Sequence, residues 1–397
     1  MKNIIYKHLR RVLPRRWELI LDDPRRYERG WSFYELLSAV MSGLVSGCKT
    51  LRELEVLTAA AGSRVPDTTV RDLLVQIDGE PLEEELAKQV KEANRKHELD
   101  NKELPIRLTA IDGKTISVTK YKVDDCSINR SQKGCSKYVQ HVLRAFHASS
   151  SLQLLMGQER VPVGTNEKGM LPAFLDKLVQ LYGRTNLLEV LSMDAGFTSI
   201  KNAQAVVDHG LYYIMALKDP RVHTITRETK EQFEDRAKAD KVVVEHVNGK
   251  QITRSLYRSR APKVRGWSHA TEVWWICKET IDSRGKVTIE NRYYATNLPR
   301  QRLAHGQVLK AVRLHWSIEN NANWVMDVAW KEDSKPWCNQ ALEVLSFMRM
   351  IAYNIVARFK LRRLRSAKAY HWSWEQTLYY IKTALFPFRE LPESGTL

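Results

Sequence analysis

The segment HWSIENNANWVMDVAWKED, residues 315–333, combines three tryptophans, three asparagines and four carboxylates in a stretch with helical spacing. Side chains four residues apart lie on one face of a helix, so His315, Glu319 and Asn323 are expected to share a face. The neighbouring apolar stripe would pack this helix against a sheet. The presence of a charged residue at position 319 therefore needs an explanation, because leucine or alanine would pack better in a helix that lies against a sheet.

Two aspartates in matching contexts are candidate partners for Glu319. Asp112 stands at the C-terminal end of the apolar run PIRLTAIDG, and Asp194 stands in the same way in LLEVLSMDAGF. Acids at the carboxyl ends of strands are typical of functional sites in α/β proteins, although a single one is explained more simply as a strand end or a helix cap. On adjacent strands the two carboxylates would repel each other unless a divalent cation lay between them.

The charge balance points to a polyanionic partner. The chain has 397 residues, a length typical of two or three domains, and 63 lysines and arginines against 46 acids give a net charge of +17. Such an excess is typical of nucleic-acid binding, because basic side chains release counterions from phosphates. A basic but merely solvated surface is the alternative. Membrane binding is not indicated, since no polybasic run adjoins an apolar anchor.

Cysteine usage and hydropathy indicate a cytoplasmic protein. The five cysteines are scattered and form no CxxC pair, so neither a zinc site nor a disulfide framework is predicted. The basic stretch MKNIIYKHLRRVLPRRWELIL lacks the apolar core of a secretory signal. No apolar run is long enough to span a bilayer.

The first part of the chain, residues 1–100, is predicted to be a helical, DNA-binding domain. In SFYELLSAVMSGLVSGCKTLRELEVLTAAA, Ser32 would cap a helix together with Glu35. In VPDTTVRDLLVQID, Asp67 or Thr68 would cap a second, short helix. A helix-turn-helix and a plain helical bundle both fit this pattern.

The remainder is predicted to be a mixed α/β core that is interrupted once. Residues 101–220 alternate strand and helix patterns, and residues 296–365 return to helical periodicity. Between them, residues 221–295 form a basic, β-rich insertion in which KVVVEHVNGKQITRSLYRS carries a hairpin signal at Asn-Gly. Residues 366–397 are assigned to a C-terminal tail.

The motifs AIDGKT, SMDAGF, YYIMALK and RLHWSIENNANWVMDVAWKED resemble those of DDE transposases of bacterial insertion sequences. The similarity is to the IS-four-like superfamily, in the ISAs-type branch that includes the H-repeat-associated proteins, and it runs in order over nearly the whole chain. It implies an RNase H-like catalytic core with a β-rich insertion and a helical N-terminal domain. It also implies a catalytic and metal-binding triad of Asp112, Asp194 and Glu319.

The chain departs from the family's pattern in the basic residues around the glutamate. His315 and Met326 stand at positions where related families carry an arginine and a lysine, and Arg313 is a candidate replacement for the arginine. Lys114, Arg313 and His315 are therefore our candidates for binding DNA phosphates, each equally well explained as an ordinary surface residue.

Trp274 and Trp275, in the insertion, are further candidates for DNA contact, by stacking on an unpaired base. Strand alternation places neighbouring residues on opposite faces, so at most one of the two would do so. Packing in the core is the simpler expectation for both.

A two-metal mechanism follows from the implied triad. Two Mg²⁺ ions roughly 3.5–4 Å apart, for which Mn²⁺ would substitute, suit an all-carboxylate site and would relieve the charge at phosphorus. Asp112 would bridge both ions, while Asp194 and Glu319 would each hold one. Water would attack first and free a 3′-hydroxyl, which would then attack the target DNA.

Two further residues of the 315–333 segment are predicted to support the triad. Asn323, one turn beyond Glu319, would orient the glutamate. Asp327 lies about 12 Å along the helix axis from Glu319, so one cluster cannot use both. We therefore expect Asp327 to fix the end of the helix with the acids that follow it.

The expected partner is double-stranded DNA, both transposon ends and target, bound by a homodimer that assembles on the DNA in the nucleoid of a bacterial cytoplasm. Two other functions are compatible with part of the pattern. A domesticated, non-catalytic DNA-binding protein would have no use for three clustered acids that repel phosphate. A stand-alone DNA nuclease would use the same acids and is not distinguished by the sequence.

Overall fold

The computed structural model describes residues 20–27, 30–101, 103–132, 134–218, 224–334, 337–364 and 371–386. Within these residues the strands form one ten-stranded sheet, and helices pack against both of its faces. The mixed α/β class predicted from the sequence is confirmed. No helix in these ranges is long and apolar enough to cross a membrane.

The N-terminal part is helical, as predicted, but it contains more breaks than the periodicity suggests. Ser32 caps the first helix and forms the expected capping box with Glu35. Asp67 is the first residue of the third helix rather than its cap. Its N–H donates to Glu55 of the second helix at 3.3 Å. Gly47, with φ of +73°, separates the first two helices. The helices are α1 Phe33–Val45, α2 Leu51–Ala60, α3 Asp67–Leu74 and α4 Glu80–Arg95.

These helices pack on elements from the C-terminal third of the chain. The backbone carbonyl of Leu44 in α1 accepts a 2.6 Å hydrogen bond from the indole of Trp330. Glu53 of α2 forms a 2.6 Å ion pair with Lys382, in a helix that lies within the segment expected to be a tail. α1 thus contacts both C-terminal helices, α10 (Leu342–Arg363) and α11 (Trp374–Leu385). The arrangement favours the helical bundle over a separate helix-turn-helix unit.

The core of the sheet is built from β1 Leu108–Thr119, β2 Ile128–Asn129, β3 Tyr138–His147, β4 Leu154–Arg160, α5 Glu167–Tyr182, β5 Val190–Met193, α6 Ile200–Asp208 and β6 Tyr212–Leu217. Its strand order is β4-β3-β1-β5-β6. β3 runs antiparallel to β1, whereas β5 and β6 run parallel to it. This order, with crossover helices between β4 and β6, is the RNase H-like arrangement that was expected.

The β-rich segment extends the core sheet. The Asn-Gly hairpin is confirmed: Asn248 and Gly249 have φ of 48° and 72°, the left-handed values that a tight hairpin turn needs. The last strand of the segment pairs with β6, which joins both groups of strands in one sheet. The elements are α7 Thr224–Phe233, β7 Lys241–Val247, β8 Lys250–Arg260, β9 Glu272–Ile281 and β10 Val287–Thr296.

The segment that carries Glu319 is not the single regular helix that its spacing predicts. α8 (His305–His315) is followed by a π-helical turn, Ile318–Asn323, and then by α9 (Trp324–Trp330). Tertiary contacts favour the wider turn: the Tyr353 hydroxyl donates to the carbonyl of Asn321 at 2.7 Å. π-helical turns inside helices are frequent at functional sites.

A buried ion pair attaches the end of this segment to the sheet. Arg144 on β3 and Glu332, just after α9, both have fully buried side chains and form two hydrogen bonds of 2.6 and 2.8 Å. Ser346 and Gln158 complete the network. Burial alone would raise the pKa of Glu332, but the charge and hydrogen bonds of Arg144 outweigh it and lower the pKa to about 2.

We predict that Glu332→Gln lowers the free energy of unfolding by about 3–5 kcal/mol, because it leaves the Arg144 guanidinium buried without its counter-charge. Asp333→Asn, at the next and less buried position, is the control and should change stability little. Urea denaturation at neutral pH measures both. The contribution of Glu332 should be fully present above about pH 4.5 and be lost as the pH falls toward about 2.

Candidate active site

Asp112 and Asp194 meet where the pairing of two parallel strands ends. The last residue pair between β1 and β5 is Ile111 with Met193, so the two aspartates are the next residue on each strand. Asp112 does not end its strand, as the sequence suggested, because β1 continues to Thr119 by pairing with β3. Adjacent strands lie about 4.8 Å apart, so the two carboxylates are neighbours.

The backbone after β5 holds the Asp194 carboxylate. The N–H of Gly196 donates to Asp194 Oδ1 at 2.9 Å, and the N–H of Phe197 donates to the Asp194 carbonyl at 3.3 Å. A Cβ at Gly196 would lie only 3.1 Å from Asp194 Oδ1. The motif MDAGF therefore encodes a turn that fits around its own aspartate.

Glu319, in the π-helical turn, completes a group of three carboxylates whose charges act on one another. Burial, together with the charges of Glu319 and Asp194, raises the pKa of Asp112 to about 7. The pKa of Glu319 is also raised, by burial and by Asp194, although the Arg292 guanidinium opposes the shift. Such mutual repulsion is typical of carboxylates that share a cation or a proton.

Asn323 contacts Asp112 and not the glutamate that it was expected to orient. Its Nδ2 donates to Asp112 Oδ2 at 3.1 Å. The wider π-helical turn between Glu319 and Asn323 changes their relative direction, which explains why the regular helical spacing was misleading. The other terminal atom, Oδ1, is buried and has no hydrogen-bond partner.

Lys114 and Asp327 join the Glu319-bearing segment to β1. Lys114 Nζ lies 2.6 and 2.7 Å from the two carboxylate oxygens of Asp327 and 3.4 Å from the carbonyl of Asn323. The Lys114 side chain is 5% exposed. Both expectations are therefore corrected: Lys114 does not face solvent to bind phosphate, and Asp327 neutralises a buried lysine instead of fixing the helix end.

The two basic candidates in α8 have different surroundings. His315 is buried, and burial lowers its pKa to about 4, so the ring is neutral near pH 7 and does not act as a surface cation. Its position against the sheet follows from the packing of α8. Arg313 is 55% exposed and forms a 2.6 Å ion pair with Glu245 of β7. Arg313 therefore remains accessible to a phosphate.

The two tryptophans of the insertion are engaged in packing. Trp274 is 1% exposed, and its indole donates to Glu272 at 3.1 Å. Trp275, on the opposite face, stacks on Tyr257 at a centroid distance of 4.1 Å and packs beside Tyr293. Trp274 is therefore not accessible to a base, and Trp275 presents its ring to other aromatic rings.

Two charged residues near the carboxylates were not identified from the sequence. The guanidinium carbon of Arg292, on β10, lies 4.5 Å from the ring centre of Trp316. The positive charge of Arg292 also acts to lower the pKa of Glu319. Glu167, the first residue of α5, lies against the backbone of Gly113. Neither occurs in a recognisable motif, and both reach the site only because distant elements pair or pack there.

The donor set suits a hard divalent cation, since it consists of carboxylate oxygens with an unpaired amide oxygen beside them. In the described part of the chain, no three acids, histidines or cysteines are drawn together closely enough to hold a metal ion as they stand. A shared cation would therefore have to bring Asp112, Asp194 and Glu319 closer together. Their mutual repulsion supplies the electrostatic reason for such binding.

We predict that Asp112→Asn stabilises the protein at pH 8 in EDTA, by about 1–3 kcal/mol, because it removes one of the repelling charges. The pKa of Asp112 is higher in the folded chain, about 7, than its ordinary value of 3.8, so the stability of the parent falls as the pH rises through this window. The difference between variant and parent should shrink from pH 7 toward pH 4. Asp125→Asn, at a 99% exposed side chain, should show no such trend in urea denaturation.

Comparison with known proteins connects this geometry to a family. The profile of the family "Transposase DDE domain" matches residues 103–355, a range that contains all three carboxylates. A curated protein of Escherichia coli O157:H7, named "Putative transposase YncI", is 24% identical over 308 residues, which cover 73% of this chain and 70% of the relative. A solved structure, a piggyBac transposase synaptic complex with hairpin DNA, aligns with a TM-score of 0.49 at 10% identity, over 97% of this chain and 80% of that one. The family match spans well over half of the residues of this chain, which therefore belongs to the transposase family defined by the DDE domain.

Proposed function

We propose that this protein cleaves DNA strands at the ends of an insertion sequence and transfers the freed ends to target DNA, with Mg²⁺ as cofactor. The observation that carries the proposal is the convergence of Asp112, Asp194 and Glu319, from β1, the end of β5 and the π-helical turn. The chain belongs to the DDE transposase family. The resemblance of its motifs implies that these three acids serve phosphodiester chemistry.

In the proposed reaction Asp112, Asp194 and Glu319 would hold the divalent cations, which when bound would supply charge for polarising the phosphate and activating the attacking oxygen. Asp112, whose pKa both other acids raise, is the proposed shared ligand, and Asn323 keeps its carboxylate oriented through the 3.1 Å hydrogen bond. The Lys114–Asp327 ion pair keeps the Glu319-bearing turn against β1. Water would attack the phosphodiester at the element's end and break its bond to the 3′-oxygen. The freed 3′-hydroxyl would then attack a phosphodiester of the target and displace the target's own 3′-oxygen.

DNA is the proposed partner, bound as a duplex at the element's ends and at the target. The net charge of +17 supports a polyanionic partner. Arg292, which acts on Glu319, and Arg313, on the preceding helix, are both partly exposed and are proposed to bind phosphate. We further propose that the protein works as a homodimer assembled on DNA, on the nucleoid in the bacterial cytoplasm.

We predict that Glu319→Gln keeps the fold and lowers the rate of Mg²⁺-dependent cleavage by about 10³-fold or more, because the amide cannot supply the charge that the cation needs. Purified protein, end-containing DNA and Mg²⁺ or Mn²⁺ would be incubated, and nicked and joined products separated on a denaturing gel. EDTA should abolish both products.

Asn320→Ala is the matched control, since Asn320 is exposed on the same π-helical turn and contributes no charge. It should cut at a rate close to that of the parent. Full activity of Glu319→Gln would overturn the proposed site. Nicked products without joined products would indicate the stand-alone nuclease, and binding without either product would indicate the non-catalytic DNA-binding protein.

We also predict that DNA binding depends on salt and not on the carboxylates. Asp112→Asn should bind end-containing DNA at least as tightly as the parent, because it removes a negative charge near the phosphates. Arg292→Gln and Arg313→Gln should each reduce the slope of log K against log salt by about one. Arg227→Gln, at a 55% exposed position on α7, is the control. Fluorescence anisotropy at several salt concentrations measures these slopes, and a tenfold loss of affinity in Asp112→Asn would contradict the assignment.

A further inference from the structure

Glu167 approaches the carboxylate group from the face of the sheet opposite to Glu319. It is the first residue of α5, which Asn166 caps by accepting the Gly169 N–H at 2.8 Å. Side chains of β1 alternate between the faces: Asp112 and Lys114 contact the Glu319-bearing segment, whereas the backbone of Gly113 faces Glu167. The acid therefore reaches the edge where β5 ends from the other side.

Gly113 provides the space that Glu167 occupies. A Cβ built at position 113 would lie within 3.0 Å of the carboxyl carbon and of both oxygens of Glu167, a separation that real side chains essentially never show. The backbone of Gly113 is in an ordinary strand conformation, so a left-handed φ does not explain the glycine. The remaining reason is the close approach of the Glu167 carboxylate.

Two polar side chains, His141 and Thr115, lie near the Glu167 carboxylate. His141 Nδ1, on β3, lies 3.5 Å from Glu167 Oε1 and 3.2 Å from the hydroxyl of Thr115 on β1. Thr115 and His141 are directly opposite each other in the strand register. The Glu167 side chain is 38% exposed, so its carboxylate lies beside His141 and remains accessible to solvent.

Electrostatic repulsion links Glu167 to the carboxylate group, and an unpaired amide oxygen lies beside Asp112. Burial and the Asp194 charge raise the pKa of Glu167, and Glu167 in turn contributes to the raised pKa of Asp112. Independently, Asn323 is 8% exposed, directs its amide at Asp112 and leaves Oδ1 without a donor. A buried amide oxygen without a partner is costly, and a cation or its water of hydration would satisfy it.

We propose that Glu167 is a fourth carboxylate of the divalent-cation site, contributed by α5, and that position 113 is glycine to admit it. The inference rests on the proposed function, since it adds a residue to the same site. Glu167 would share the cation held near Asp194, with the backbone of Gly113 leaving the space that its carboxylate needs.

The test is a titration of the full chain with Mn²⁺ in the absence of DNA. The electron paramagnetic resonance signal of free Mn²⁺ measures how much of the ion is bound. Glu167→Gln, nearly isosteric, should weaken the affinity of one ion by about tenfold or more. Gly113→Ala should do the same by displacing the carboxylate. Gly157→Ala, in β4, is the matched control, because a Cβ there meets its nearest neighbour at an ordinary 3.6 Å. Asp176→Asn, 71% exposed on the same helix, controls for loss of charge.

A double variant separates the two positions. In a Glu167→Ala background, Gly113→Ala should cause no further loss of Mn²⁺ affinity, because the atoms it would displace are gone. Circular dichroism in EDTA verifies that each variant is folded. If Glu319→Gln weakens Mn²⁺ binding while Glu167→Gln leaves it unchanged, the inference fails and the proposed function stands. If the parent binds no Mn²⁺ at all, both fail together.

Discussion

The parallel pairing of β1 with β5 covers four residue pairs and stops at Ile111 and Met193, and the candidate site lies where it stops. β5 then turns away while β1 continues along β3, so the next residue on each strand, Asp112 and Asp194, faces the gap between them. Backbone hydrogen bonds fix both strands on either side of this point. Two carboxylates are thereby held as neighbours in a way that flexible loops would not achieve.

Like charges can be held together only if the elements that carry them are attached to each other at other points. Two ion pairs attach the Glu319-bearing segment to the sheet in this way. Lys114 of β1 pairs with Asp327 in α9, and Arg144 of β3 pairs with Glu332 just beyond α9. Both bonds connect the same segment to neighbouring strands of the sheet. Buried ion pairs contribute little net stability compared with apolar packing, but they define one geometry. Here that geometry sets where Glu319 lies relative to Asp112.

The β-rich segment contributes to the site as well as to the sheet. Because β10 pairs with β6, Arg292 is carried to the side of Trp316 and Glu319, and Glu245 of β7 reaches Arg313 of α8. The segment therefore supplies a partly exposed cation, Arg292, that acts on Glu319, and it pairs with the exposed Arg313. An extension of the sheet that brought only apolar contacts would leave three acids facing a polyanionic substrate without compensating charge.

Local chemistry made several features predictable from the sequence alone. The Ser32 cap, the Asn-Gly turn at 248 and 249 and the strand patterns each depend on residues only a few positions apart. The acids Asp112 and Asp194 were identified because each follows an apolar run, and their common strand context implied adjacency. The family resemblance added Glu319.

Other features depend on contacts between residues far apart in the chain, and periodicity carries no information about such contacts. The π-helical turn, supported by Tyr353, redirects Asn323 from Glu319 to Asp112. Pairing across more than 200 residues buries Lys114 with Asp327. The approach of Glu167 to Gly113 exists only once α5 packs on the sheet. The sequence by itself determined which acids line the strand ends, whereas the tertiary structure decided what each one faces, because side-chain direction follows from packing between distant elements.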